Sequence, residues 1–325
     1  MNKSLIFILS LVTQIICDYK IYDGSNLISL SYSPNEDYDA EIPVSMEYFD
    51  QEMVSYYSWF ASYGYCDDAD IPYFCCKNNV DFFTKKWSIV SQSSNDNNLK
   101  TNYVLWRNDE YKKYIISFPG TRNKIVEILG EIFGIGLVGY NDEEDEIKVA
   151  KFFKDAAYDL KDIVFSKKNL EDINDHPGYQ FIAVGHSLGG SIASIILYEG
   201  VSEGFIDPSK NEPVLITFGQ PRTGNLEFVN DFNKKIKTVL RVVRDGDLVV
   251  DLPPKTLIDN KYSHLGGLIL VNKEANSITY CPKDIGEDYS DKKCKKSFSI
   301  SLKYHTNYFH PDTHLSKRCV FTDFD

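Results

Sequence analysis

The chain has 325 residues, 43% of them hydrophobic, enough to bury a large core within one domain. Its formal charge of −12 argues against a surface that grips nucleic acid through its phosphates. No internal repeat, low-complexity tract or Pro/Gly/Ser-rich linker interrupts it, so a single domain is expected over residues 18–325.

The amino terminus, "MNKSLIFILSLVTQIIC", starts basic at Lys3 and continues as an apolar run from Leu5 to Ile16. That run is short for a bilayer span and has the length of a signal-peptide core. Residues 1–17 are therefore expected to be cleaved near Cys17 from a secreted protein, a retained anchor being the alternative. Cys66, Cys75, Cys76, Cys281, Cys294 and Cys319 would remain. An even set on an oxidising route suggests up to three disulfides, with buried free thiols as the bland reading. Cys281 with Cys294 is the most local pairing. The absence of any C-x-x-C pair or histidine cluster disfavours zinc.

In "YKKYIISFPGTRN" (residues 111–123), Tyr114 to Phe118 reads as a core strand followed by a Pro-Gly turn. Thr121 just beyond it could offer a backbone N–H to a developing oxyanion, although an ordinary turn explains the stretch as well. Residues 122–140 follow, and Ile125, Ile128, Leu129, Ile132 and Phe133 share one helical stripe between glycines. A buried helix is one reading of the stripe. The run "NDEEDE" (residues 141–146) is expected to be a solvated loop or helix start.

The most informative stretch is "FIAVGHSLGGSIASIILY" (residues 181–198). Phe181 to Val184 form an unbroken apolar run, as in a parallel strand buried on both faces, and Ile192 to Leu197 suit a helix buried on most sides. Ser187 then sits on the strand-to-helix turn, in the pattern G-x-S-x-G. The turn needs Gly185 and Gly189 because a side chain there would collide with the neighbouring strand and helix. The helix start supplies N–H groups beside the hydroxyl, with Leu188 as an oxyanion donor. His186 is expected to turn its ring away from the serine and act in packing.

A serine hydroxyl needs a histidine base, and the histidine needs a carboxylate to fix its tautomer. In "TVLRVVRDGDLVVDLPP" (residues 238–254) a strand over Val239 to Val243 runs into "RDGD", placing Asp245, Asp247 and Asp251 at the sheet edge; Asp247 is the preferred acid. His305, His310 and His314 all follow the last strand and remain open as bases.

In their order, "IISFPGTRN", "YQFIAVGHSLGGSIAS", "VLITFGQPRTGN", "LRVVRDGDLVVDLPP", "YSHLGG" and "HTNYF" resemble the class 3 lipases, the fungal-lipase-like family of α/β-hydrolases, over about residues 55–315. The resemblance implies an α/β-hydrolase fold with a mostly parallel central sheet flanked by helices. It places the nucleophile on Ser187, the acid on Asp247, the base on His305 and the oxyanion residue on Thr121. His264 matches a family histidine that is not catalytic. It also implies a lid at residues 122–140 that makes transient contact with a lipid interface. Two positions depart from the pattern: Pro119 stands where arginine is frequent, and the usual glycine near residue 152 is absent.

The expectation is a secreted serine ester hydrolase, a triacylglycerol lipase treated as a monomer, with no metal, cofactor or nucleic-acid partner. A phospholipase or a feruloyl-type or general carboxylesterase could use the same three residues. A catalytically silent lipid-binding protein or a structural, adhesive protein represents the other classes, and the ordered motifs speak against both.

Overall fold

The computed structural model describes residues 18–22, 27–31, 56–58, 60–61, 87–93, 102–120, 136–141, 145–257, 260–274, 277–281, 294, 296–297 and 302–306. The expected signal segment, Thr121, the apolar stripe of 125–133, His310, His314 and Cys66, Cys75, Cys76 and Cys319 lie outside them. Among the described residues no helix is long and apolar enough to cross a membrane.

Strands β1 (Asp18–Tyr22) and β2 (Leu27–Ser31) form a separate antiparallel pair. Among the described residues the central sheet has eight strands. They are β3 (Ser88–Gln92), β4 (Val104–Asn108), β5 (Lys113–Phe118), β8 (Gln180–His186), β9 (Pro213–Phe218), β10 (Thr238–Arg244), β13 (Gly267–Val271) and β14 (Ile278–Cys281), in the spatial order β14-β13-β10-β9-β8-β5-β4-β3. The five inner strands from β5 to β13 run parallel, and both edges close with antiparallel strands.

Parallel strands need crossovers, and the crossing helices cover the sheet. Helices α1 (Lys151–Val164) and α2 (Lys167–Asn174) connect β5 towards β8. Helix α3 (Leu188–Ser202) links β8 to β9, and α4 (Leu226–Lys235) links β9 to β10. The two-residue period of each strand sorts its side chains between two cores. Phe181, Ala183 and Leu215 pack with α1, α3 and α4 on one face, and Ile182, Val184, Val214 and Ile216 pack with Tyr57, Phe60 and Trp106 on the other. The unbroken apolar runs of β8 and β9 are what a sheet covered on both faces requires.

Helix α3 is buried over nearly its whole length. Its one carboxylate, Glu199, is 2% exposed and is met by Lys161 Nζ at 2.5 Å, by the Tyr158 hydroxyl at 2.7 Å and by the Tyr140 hydroxyl. Burial alone would raise the Glu199 carboxyl, but Lys161 and the two tyrosine donors outweigh it and hold the group below its ordinary value.

Leu137–Gly139 form strand β6, paired antiparallel with β7 (Lys148–Ala150). The described residues of the "NDEEDE" run, Asn141, Asp145 and Glu146, lie between these two strands. The Asp145 carboxylate accepts from the Ile147 N–H at 2.9 Å and from the Asn141 N–H at 3.1 Å, which closes the turn. A third small pair joins β11 (Thr256–Leu257) to β12 (Asn260–Lys261).

Candidate active site

The site is built at the carboxyl ends of the parallel strands. β8 ends at His186 and α3 begins at Leu188, so Ser187 alone makes the turn. Its backbone lies at φ +56° and ψ −126°, a conformation that costs a residue with a side chain about 1–3 kcal/mol. Two hydrogen bonds help hold it: the Ser187 N–H donates to Phe218 O at 2.8 Å, and the Gly190 N–H donates to Ser187 O at 3.0 Å.

The flanking glycines are required by contact. A Cβ at Gly185 would lie 2.2 Å from Gly189 O, and a Cβ at Gly189 would lie 2.2 Å from Phe118 O. Strand β5, the elbow and the first turn of α3 thus meet backbone to backbone. Leu188 opens α3, so its N–H has no helical carbonyl one turn behind it.

Behind this turn the residues "TFGQPRT" form a buried polar brace. Thr217 donates to Gln220 Oε1 at 2.8 Å, Gln220 donates to Thr223 Oγ1 at 2.9 Å, and the Thr223 hydroxyl donates to Ser191 Oγ at 2.9 Å. These bonds tie the β9–α4 loop to the first turn of α3.

Asp247 lies three residues past the end of β10 and is fully buried. The "RDGD" turn bends at Gly246, whose φ of +88° suits glycine. One Asp247 oxygen accepts the Val249 N–H at 2.8 Å. Its two oxygens lie 3.1 and 3.0 Å from His305 Nδ1. His305 sits on a short turn of helix, α5 (Lys303–Thr306), and is also fully buried. A Cβ at Gly246 would press to 2.8 Å on the Tyr304 ring, so α5 lies directly against the acid turn. The other imidazole nitrogen, Nε2, has no hydrogen-bond partner among the described residues.

Of the competing acids, Asp247 meets the histidine, whereas the others serve the surrounding loop. Asp245 accepts from the Ser297 hydroxyl at 3.0 Å, and Asp251 pairs with Lys296 at 2.7 Å. His264 Nε2 lies 2.8 Å from Val250 O, away from the Asp247–His305 pair and bracing the acid loop. Arg222 grips the same loop from β9's side, donating to the carbonyls of Asp251 and, at 2.8 Å, of Pro253.

His186 packs as expected, and it packs on His305. Its Nε2 donates to His305 O at 2.9 Å, and the two rings lie 4.7 Å apart. The residue before Ser187 therefore holds the backbone of His305, bringing elbow and histidine to one place. Burial, reinforced by the neighbouring His305, pushes the His186 imidazole down to about 3, so it stays neutral. Its position next to Ser187 was the only sequence signal for this contact. Lys296 and Arg222 gave none, because each reaches the acid loop across a long stretch of chain.

Cys281, at the end of β14, is bonded to Cys294. The local pairing expected from their spacing is present, and the disulfide ties the segment before α5 to the sheet edge.

The family model "Lipase (class 3)" matches residues 115–257, from β5 through the acid loop. A lipase of Caenorhabditis elegans is 27% identical over 154 residues, covering 45% of this chain and 39% of that protein. The chloroplastic phospholipase A1-Igamma1 of Arabidopsis thaliana is 29% identical over 126 residues, covering 37% and 23%. The chain thus spans about half the length, or less, of the curated relatives it matches. The solved triacylglyceride lipase of Rhizomucor miehei superposes with a TM-score of 0.67 at 24% identity, covering 84% of this chain and 98% of that one. The likeness extends to the fold, a mostly parallel sheet flanked by helices.

Proposed function

Because the chain belongs to the class 3 lipase family of α/β-hydrolases, we propose that it is a secreted serine ester hydrolase acting on triacylglycerol. The observation that carries this reading is the buried Asp247–His305 pair locked by His186 to the elbow that bears Ser187. Ser187 Oγ attacks the acyl carbonyl as His305 Nε2 takes its proton. Asp247, on Nδ1, fixes the tautomer that leaves Nε2 free to accept and stabilises the imidazolium that forms. The Leu188 N–H and Thr121 bind the oxyanion. His305 then gives its proton to the departing alcohol, and water, deprotonated by His305, frees the acyl group and restores Ser187. The chemistry calls for no metal or cofactor.

The apolar stripe of residues 125–133 supports a lipid substrate, since each 100 Å² of apolar surface moved from water onto lipid contributes about 2.5 kcal/mol. The apolar segment before Cys17 and the Cys281–Cys294 disulfide support secretion. The similarity to a phospholipase A1 favours one second reading, a phospholipase using the same residues.

The test compares the protein with Ser187→Ala on triacylglycerol below and above its interface-forming concentration, with phospholipid and a soluble short-chain ester in parallel. Loss of the serine should cost about 10⁴-fold or more. A Ser187-dependent rise at the triacylglycerol interface is expected. Activity confined to phospholipid would establish the second reading, and undiminished activity in Ser187→Ala would overturn both.

A further inference from the structure

The acid loop is held from behind by a segment that the proposed chemistry does not use. Lys296 Nζ donates to Asp247 O at 2.9 Å and to Asp251 Oδ2 at 2.7 Å, and its side chain is 13% exposed. Ser297 Oγ donates to Asp245 Oδ2 at 3.0 Å, and the Ser297 N–H donates to the same carboxylate. Two adjacent residues therefore bind all three aspartates of "DGDLVVD", the middle one through its backbone.

The same two residues follow Cys294, which is bonded to Cys281 at the end of β14. β14 pairs with β13, and β13 pairs with β10, the strand that leads into Asp245. The covalent tie closes a ring: from β10 across the sheet edge to the disulfide, through residues 294–297, and back onto the turn at the end of β10. Within a ring anchored at both ends, the lysine loses less freedom on binding than it would on an unanchored loop. The held atom is the carbonyl of Asp247, so displacement of the clamp moves the carboxylate that faces His305.

We propose that Lys296, tethered by the Cys281–Cys294 disulfide, is a positioning residue that sets Asp247 against His305. This inference rests on the reading of Asp247 as the acid of an ester hydrolase. Loosening the clamp leaves Ser187 and the substrate-binding surface in place while degrading the Asp247–His305 alignment. Its cost falls on kcat, by about 10- to 100-fold for a displacement on the ångström scale, with KM little changed.

The test uses an activated short-chain ester, so that low residual rates are readable, and compares wild type, Lys296→Met, Asp247→Asn and the double variant. Circular dichroism confirms that each is folded. Lys296→Met should lower kcat with KM within about twofold, and it should have no further effect in the Asp247→Asn background, because coupled residues are non-additive. The Cys281→Ser/Cys294→Ser variant gives an independent lesion of the same ring and should likewise lower kcat without adding to Lys296→Met. An undiminished kcat in Lys296→Met, or losses that multiply with those of Asp247→Asn, would overturn the positioning role. Full activity in Asp247→Asn itself would instead refute the assignment of the acid on which the proposal stands.

Discussion

Acid should weaken the folded state through His186. The imidazole is buried, faces the His305 ring and is near the Asp247 carboxylate; burial first, and its electrostatic interaction with the His305 ring second, hold it at about 3, against the opposing hydrogen bond to His305 O and the Asp247 carboxylate. The unfolded chain releases the same ring to its ordinary value of about 6.5. Below pH 6.5 the unfolded state therefore binds a proton that the folded state refuses until about pH 3. Stability is fully present above the upper value and falls as pH drops through this window, by about 1.4 kcal/mol per unit. Between about pH 7 and about pH 4.5 the loss from this one group is about 2–3 kcal/mol. His186→Gln does not titrate and keeps an amide able to donate to His305 O. Urea unfolding of both proteins at the two pH values isolates the effect, since every other titrating group is common to them. The wild type should lose about 2–3 kcal/mol more than the variant on acidification. Equal losses would show that His186 is solvated or already charged, and the reasoning from burial would fail.

Asp247→Asn keeps the shape of the pair but offers His305 Nδ1 the wrong tautomer; kcat on a soluble ester should fall about 10⁴-fold with KM nearly unchanged. Gly189→Ala puts a Cβ at 2.2 Å from Phe118 O, where only backbone can yield, so the thermal midpoint should drop by an amount equivalent to about 2 kcal/mol or more. Glu199→Ala strands the Lys161 ammonium and two hydroxyls around a buried void, and urea unfolding should report a loss of about 3–5 kcal/mol. A midpoint unchanged in that variant would mean that water replaces the carboxylate.

The elbow was legible in the sequence because its signal is local. Gly185, Ser187 and Gly189 are separated by single residues, and the strand before and helix after them are apolar in patterns that only a covered sheet explains. The candidate acid was half legible: the strand end narrowed it to three aspartates, but which of them faces a histidine depends on how Gly246 bends the turn. The candidate base was least legible from physics alone. Its loop follows the last strand, where no periodicity constrains it, and the family resemblance singled out His305. The clamp of Lys296 and the brace of Arg222 were invisible because a lysine or arginine in a polar stretch looks the same whether it faces water or a backbone carbonyl 29 to 49 residues away.

The order in which the chain supplies these parts bears on its synthesis. Ser187 and Asp247 emerge before β13 and β14 are made, whereas His305 follows the last strand of the sheet. Under the proposed assignment a nascent chain acquires its nucleophile early and its base only after the whole sheet and the Cys281–Cys294 crosslink are available. Until then it lacks the means to attack an ester bond. Under the proposed secretion and lipid substrate, the chain would be harmless to the membrane that delivers it for most of its passage.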